Sequence, residues 1–167
     1  METLHLENFF TDNSATHAYC GALYVWYSTL HFAGDITLGK NSAEHLGGGI
    51  YAGGSTLNFT GDITFTNNSA KIHGGGVYAA NSTLNLSGNI TFRLNNSTTN
   101  GGGVRAWYSN LIFTGTSVFR DNSASYSGGG INVLKSTLIM SRSNRHNYSF
   151  RSYETFTSLF ICNTAQF

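Results

Sequence analysis

Across residues 41–140 the chain repeats itself every 27 residues. A glycine triplet followed by a branched aliphatic residue recurs as Gly47-Gly48-Gly49-Ile50, Gly74-Gly75-Gly76-Val77, Gly101-Gly102-Gly103-Val104 and Gly128-Gly129-Gly130-Ile131, and Cys20-Gly21-Ala22-Leu23 stands one period earlier. A fixed period of this size means stacked supersecondary units, none able to bury its apolar face without a neighbour. Function on such a chain belongs to a long repetitive surface rather than to a single pocket.

Within residues 47–73 the stretches Ile50-Tyr51-Ala52, Leu57-Asn58-Phe59-Thr60 and Ile63-Thr64-Phe65 each alternate with period two. Gly53-Gly54, Gly61-Asp62 and Asn67-Asn68 separate them, so each unit holds three short strands. Successive units align like on like. Leu23, Ile50, Val77, Val104 and Ile131 form one apolar column, Val25, Ala52, Ala79, Ala106 and Val133 a second, and Leu30, Leu57, Leu84, Leu111 and Leu138 a third. Phe32, Phe59, Leu86, Phe113 and Met140 form a fourth, and Leu38, Phe65, Phe92 and Phe119 a fifth. Such columns point inward while their variable neighbours point outward, with residues one period apart stacked at the ~4.8 Å spacing of a parallel sheet. The expected fold is all-β: a three-sided parallel β-helix of about 27 residues per coil, right-handed by the crossover preference. The period and Ile63-x-Phe65-x-x-Asn68 also fit a leucine-rich repeat. That architecture spends the rest of its unit on a helix or helical turn, where this chain alternates like strand.

The expected organisation is about five coils over residues 1–140, an inserted loop over 141–156 and a partial terminal coil over 157–167. If Phe160 is the counterpart of Phe119, about 14 residues are inserted. The inserted stretch holds Arg142, Arg145, His146 and Arg151, the densest positive charge in the chain. Thr3-Leu4-His5-Leu6 resembles Thr56-Leu57-Asn58-Phe59, and residues 160–165 restate residues 65–70, so the chain reads as a fragment that begins and ends mid-unit. Nine Lys and Arg against eight Asp and Glu leave a formal net charge of +1, with no basic block to neutralise phosphates, which argues against a nucleic-acid partner. No apolar run approaches the ~20 residues of a membrane-spanning helix. Cys20 and Cys162 lie some five coils apart, ~24 Å at sheet spacing, too far for a disulfide.

Asn41, Asn68, Asn95 and Asn122 are expected to form an amide ladder at one corner, and Ser28, Ser55, Ser82, Ser109 and Ser136 to mark another. Carbohydrate cleavage needs paired carboxylates, or carboxylates that hold Ca²⁺ beside a base. Only Asp35 and Asp62 stack, and both follow glycine at a turn. His17, His31, His45, His73 and His146 share no column, so neither a metal cluster nor a catalytic triad is indicated, and no catalytic residue, metal or cofactor is assigned. The candidate binding residues are aromatic. Tyr24, Tyr51 and Tyr78 form an outward column continued by Arg105 and Asn132, and Trp26-Tyr27 and Trp107-Tyr108 occupy the turn just after that strand in two units. Exposed aromatics among polar residues suit glycans or partner proteins. Asn58, Asn67, Asn81, Asn85, Asn89, Asn95, Asn96 and Asn147 begin Asn-x-Ser/Thr sequons.

The motif Phe-x-x-Asn-Ser-Ala stands at residues 10–15, 65–70 and 119–124, with variants at Leu38 and Phe92, and is paired with Gly-Gly-(Ala or Gly)-Ile at residues 48–50, 75–77, 102–104 and 129–131. The Ala form stands at Gly21-Ala22-Leu23. These pairs resemble the repeats of chlamydial polymorphic outer membrane proteins and related pectin-lyase-like solenoids, over nearly the whole chain except residues 141–156. The resemblance implies a surface-exposed passenger that mediates adhesion to host cells. The expectation is therefore a non-enzymatic extracellular or cell-surface module, with glycans or cell-surface proteins as partners. Its open ladder ends favour end-to-end association. A degenerate polysaccharide lyase or hydrolase and a purely structural spacer are the alternatives.

Overall fold

The computed structural model describes residues 8–16, 19–140 and the backbone of 155–161. Among the described residues every regular element is a strand. One wall holds Leu23–Trp26, Ile50–Gly53, Val77–Ala80, Val104–Trp107 and the opening of Ile131–Met140. A second holds Thr29–Phe32, Thr56–Phe59, Thr83–Leu86, Asn110–Phe113 and the end of Ile131–Met140. Asn8–Thr11, Ile36–Gly39, Ile63–Thr66, Ile90–Arg93 and Ser117–Arg120 make the third. The structure adds an element that the alternation pattern does not reveal, a two-residue strand after each third-wall strand, as in Ser69–Ala70.

Every expected apolar column is present in register, for instance Leu30↔Leu57↔Leu84↔Leu111↔Leu138 on the second wall. The architecture is thus a parallel β-solenoid with three long walls and about 27 residues per coil, as expected. The first coil differs slightly. Asn8 pairs with Ile36 and Ser14 with Ser42, each 28 residues apart, before Leu23↔Ile50 restores 27, so one extra residue lies between Ala15 and Leu23. At the other end Thr155–Ile161 pairs antiparallel with Ile131–Met140, from Thr137↔Thr155 to Ile131↔Ile161. A partial coil over 157–167 would pair parallel. The exposed edge of the last coil offers its N–H and C=O groups to a strand of either direction, and an antiparallel return needs no crossover. Residues 141–154 and 162–167, with Cys162, most of the expected inserted loop and the end of the expected partial coil, lie outside the described residues.

The core follows from the register. Phe32 stacks on Phe59 at 4.7 Å between ring centroids, Phe65 on Phe92 at 4.5 Å and Phe92 on Phe119 at 4.8 Å, all nearly parallel. Isolated rings prefer offset or edge-to-face contact, but residues held one strand spacing apart with matching rotamers must lie face to face. Where two columns meet, Phe113 and Phe119 take the T-shaped arrangement at 6.0 Å.

Each coil turns at residues in the left-handed region. Asp12, Lys40, Asn67, Leu94 and Asp121 have φ between 54° and 59° and directly precede the asparagine column, while Tyr27, Gly54, Asn81, Tyr108 and Lys135 precede the serines. The asparagines are buried and fully engaged. The Asn68 backbone N–H and its Nδ2 both donate to Asn95 Oδ1, at 3.0 and 2.9 Å, and Nδ2 also donates to the Leu38 carbonyl at 2.9 Å. The same set joins Asn41 to Asn68 and Asn95 to Asn122, and Asn13 extends it below. At the serine corner each backbone N–H donates to the next Oγ, as Ser55 does to Ser82 at 3.0 Å, and each Oγ donates to the carbonyl two residues back.

Two stability predictions follow from these corners. Asn95→Ala removes the acceptor of the buried Asn68 N–H and a donor to the Phe65 carbonyl. Orphaning such groups costs ~1–3 kcal/mol each, so equilibrium urea denaturation should show a loss of roughly 2–4 kcal/mol. Ser97 stands in the column otherwise filled by Ala43, Ala70 and Ala124, fully buried, and its hydroxyl has no hydrogen-bond partner. Ser97→Ala should therefore stabilise the chain by about 1 kcal/mol in the same measurement.

Candidate functional site

The outward face of the first wall is partly roofed by the chain itself. Gly47, Gly74, Gly101 and Gly128 have φ of 63° to 69°, and a Cβ on Gly74 would lie 2.4 Å from the Val77 carbonyl oxygen. Only glycine fits this reversal. The reversal lays the preceding residues in a parallel bridge column of their own, Leu46↔His73↔Asn100↔Ser127. Leu46 packs with Cys20, Tyr51, Tyr78 and Ala80, His73 stacks on Tyr78 at 6.1 Å, and Asn132 Nδ2 donates to Ser127 Oγ at 2.6 Å.

This roof corrects one sequence expectation. Tyr24, Tyr51, Tyr78, Arg105 and Asn132 do form one outward column. Tyr51 and Tyr78, however, retain only 8% and 9% of their exposure, and Asn132 is buried, while Tyr24 keeps 53%. Tyr51 lies between Tyr24 at 4.9 Å and Tyr78 at 5.5 Å, with Tyr19 and Trp26 also against it. The two buried tyrosines are a second small core and not a contact surface. Period-two alternation tells on which side of a sheet a residue stands, not what covers that side. Leu46, beside the reversal at Gly47, and Cys20, one period before that glycine, were the available sign of a cover. Arg105 is half-buried and donates a guanidinium hydrogen bond to Asn132 Oδ1.

The exposed aromatics gather at the neighbouring corner. Trp26 and Tyr27 keep 49% and 74% of their exposure, and Trp107 and Tyr108 are likewise exposed. The indole of Trp26 lies so close over Gly53 that a Cβ there would meet it at 2.3 Å, and Tyr27 covers Gly54 in the same way. Each pair is edge-to-face, Trp26 with Tyr27 at 4.8 Å and Trp107 with Tyr108 at 5.1 Å. Three coils separate the pairs, ~14 Å of rise. Gly53, Gly54, Ala80 and Asn81 occupy the intervening positions, so small side chains separate two aromatic ridges.

The remaining candidates serve the coil. Asp35 Oδ1 accepts the Asp62 N–H at 2.8 Å, and the Asp62 carboxylate accepts the Asn89 N–H and Nδ2 at 2.7 and 3.1 Å. Both acids line a hollow of about 230 Å³ with Asn8, Phe9, Ile36, Thr37 and Thr64. Among the described residues no three of His, Cys, Asp and Glu stand close enough to hold a metal ion. His17 and His146 lie outside the described residues. Cys20 is buried and free, and burial pushes its thiol up to about 11. Of the sequon asparagines, Asn95 is locked in the buried ladder, whereas Asn67, Asn81, Asn89 and Asn96 are exposed.

Burial, and then the neighbouring phenols, pushes the Tyr51 hydroxyl up to about 12, and burial raises Tyr78 as well. A phenol whose folded pKa is raised contributes stability that is intact below its ordinary range and disappears as pH climbs through the folded value. Urea midpoints should therefore fall above about pH 10. The fall should be shallower in Tyr51→Phe with Tyr78→Phe, which keeps the ring stack; an equal fall in the variant would contradict this assignment.

Comparison with known proteins picks out one coil. Residues 62–80 match the model of the Chlamydia polymorphic membrane protein repeat. The match covers the Phe65 to Ala70 motif, the Asn68 rung, the glycine reversal at Gly74 and the strand Val77–Ala80. No curated protein and no solved structure matches the chain. Within the parallel β-solenoid seen here, residues 62–80 are thus similar to the polymorphic membrane protein repeat.

Proposed function

We propose that this chain is a non-enzymatic recognition module of an extracellular or cell surface, adhering to glycans or cell-surface proteins through the aromatic corner beside the first wall. The carrying observation is the pair of exposed Trp-Tyr dipeptides at positions the coil fills equally well with small residues. Gly54 and Asn81 adopt the left-handed turn at little cost, whereas Tyr27 and Tyr108 take φ of 46° and 49° with an aromatic side chain held in solvent. A bulky residue held at a strained turn while much of its ring stays in solvent supports a role for that ring outside the coil. The matched repeat supports a membrane-protein surface setting. Engagement of Asp35 and Asp62 in turns supports a non-catalytic role.

The test uses the full chain on glycan arrays and cultured cells. Trp26→Ala with Tyr27→Ala, and separately Trp107→Ala with Tyr108→Ala, should each weaken binding by about tenfold or more, since truncating an anchoring aromatic costs ~2 kcal/mol. Both variants should still unfold cooperatively, with thermal midpoints lowered by only a few degrees. Binding that survives both double variants would remove the corner from the interface.

A further inference from the structure

Two lysine or arginine side chains pair with a carboxylate among the described residues. Lys71 pairs with Glu44 at 2.5 Å and Arg120 with Asp121 at 3.2 Å, both on the surface. Arg105 and Lys135 have no ion pair among the described residues, and both lie beside the upper aromatic pair. Lys135 Nζ donates to the Tyr108 hydroxyl at 2.6 Å and sits 4.9 Å from the centre of its ring. Arg105 points to the same side of its strand as Trp107, two residues and ~7 Å along.

Arg105 is the more telling of the two. It is half-buried, and among the described residues its one hydrogen bond is to the neutral Asn132 amide and its buried Nε has no partner. A guanidinium carries five donors in a planar fork, and removing it from water without a counter-charge is costly. Burial lowers its pKa, offset by Tyr78. The described groups around it are neutral: Tyr78 below, Asn132 above, and His73, whose pKa is lowered by burial and then by Arg105 itself. The niche therefore presents one unbalanced positive charge next to an exposed indole, with a second cation on the far side of that pair.

Resting on the recognition reading above, we propose that this end of the first wall binds an acidic saccharide, its carboxylate on the Arg105 fork and its ring against Trp107. A fork of parallel N–H groups matches a carboxylate better than a point charge does. An aromatic face two residues away suits the C–H face of a sugar ring, which fits a sugar acid better than a flexible acidic side chain.

The test is calorimetric titration of the full chain with sialyllactose against lactose, and with hyaluronan oligosaccharides against their carboxyl-reduced form. At least one acidic member should bind about tenfold or more tightly than its neutral counterpart, and the arm that does so identifies a sialic or a uronic acid. The preference should vanish in Arg105→Gln and return only in part in Arg105→Lys, while Trp107→Ala should weaken acidic and neutral sugars alike. Equal binding of each acidic and neutral pair by the unaltered chain overturns the proposal whether or not any variant folds. So does a preference that survives Arg105→Gln in a folded variant, or equally tight binding of a glutamate-rich peptide. Cell binding lost in Trp26→Ala with Tyr27→Ala but no acidic preference would sink this proposal alone. No binding to any sugar or cell would sink the recognition reading with it.

Discussion

A coil of this kind is limited by its corners. Strands satisfy their own backbone through the copies above and below, but where the chain turns inside the stack the amide left at the bend needs an acceptor that water cannot supply. Asn41, Asn68, Asn95 and Asn122 supply it from the side chain of the next coil, and each amide nitrogen then ties the bend to the wall beneath. The serines do the same at the other corner with a shorter reach. Because these bonds join equivalent positions in consecutive coils, they fix the period: gaining or losing one residue within the walls would break a rung. Phenylalanine columns and aliphatic columns can then stack simply because their backbones are already aligned.

Much of this was legible in the sequence. The glycine triplets gave the period, the alternation gave three walls, and column identity gave the register to the residue, because a stacked repeat converts sequence spacing directly into spatial contact. The two-residue strands at Ser42–Ala43 and its equivalents escaped notice because a pair of residues carries no periodicity. The burial of Tyr51 and Tyr78 escaped for a different reason. Their cover comes from the reversal at Gly47 and Gly74, which depends on a backbone angle and not on polarity. Ser97 illustrates the opposite limit: its column was readable, yet its cost appears only once the absence of a partner is known.

The division of labour among the surfaces is then physical. The second and third walls and the asparagine corner use their side chains to hold one coil to the next. On the first wall the lower half of the outward column is closed by stacked rings, and the upper half is left polar and charged by Arg105 and Asn132. The serine corner is where the coil accommodates bulk, since its left-handed residue is exposed at Tyr27, Asn81, Tyr108 and Lys135 alike. Tyr27 and Tyr108 use that freedom; Gly54 and Asn81 do not.

The additional residue between Ala15 and Leu23 shows where such a ladder tolerates change. It shifts the spacing from 28 back to 27 without displacing a column on either side, because it falls between Ala15 and Leu23 rather than in a rung-bearing corner. Length variation can therefore accumulate at that one edge of the ribbon while the interior lattice stays fixed. Related coils could diversify a fringe of loops there, coil by coil, without retuning anything beneath it.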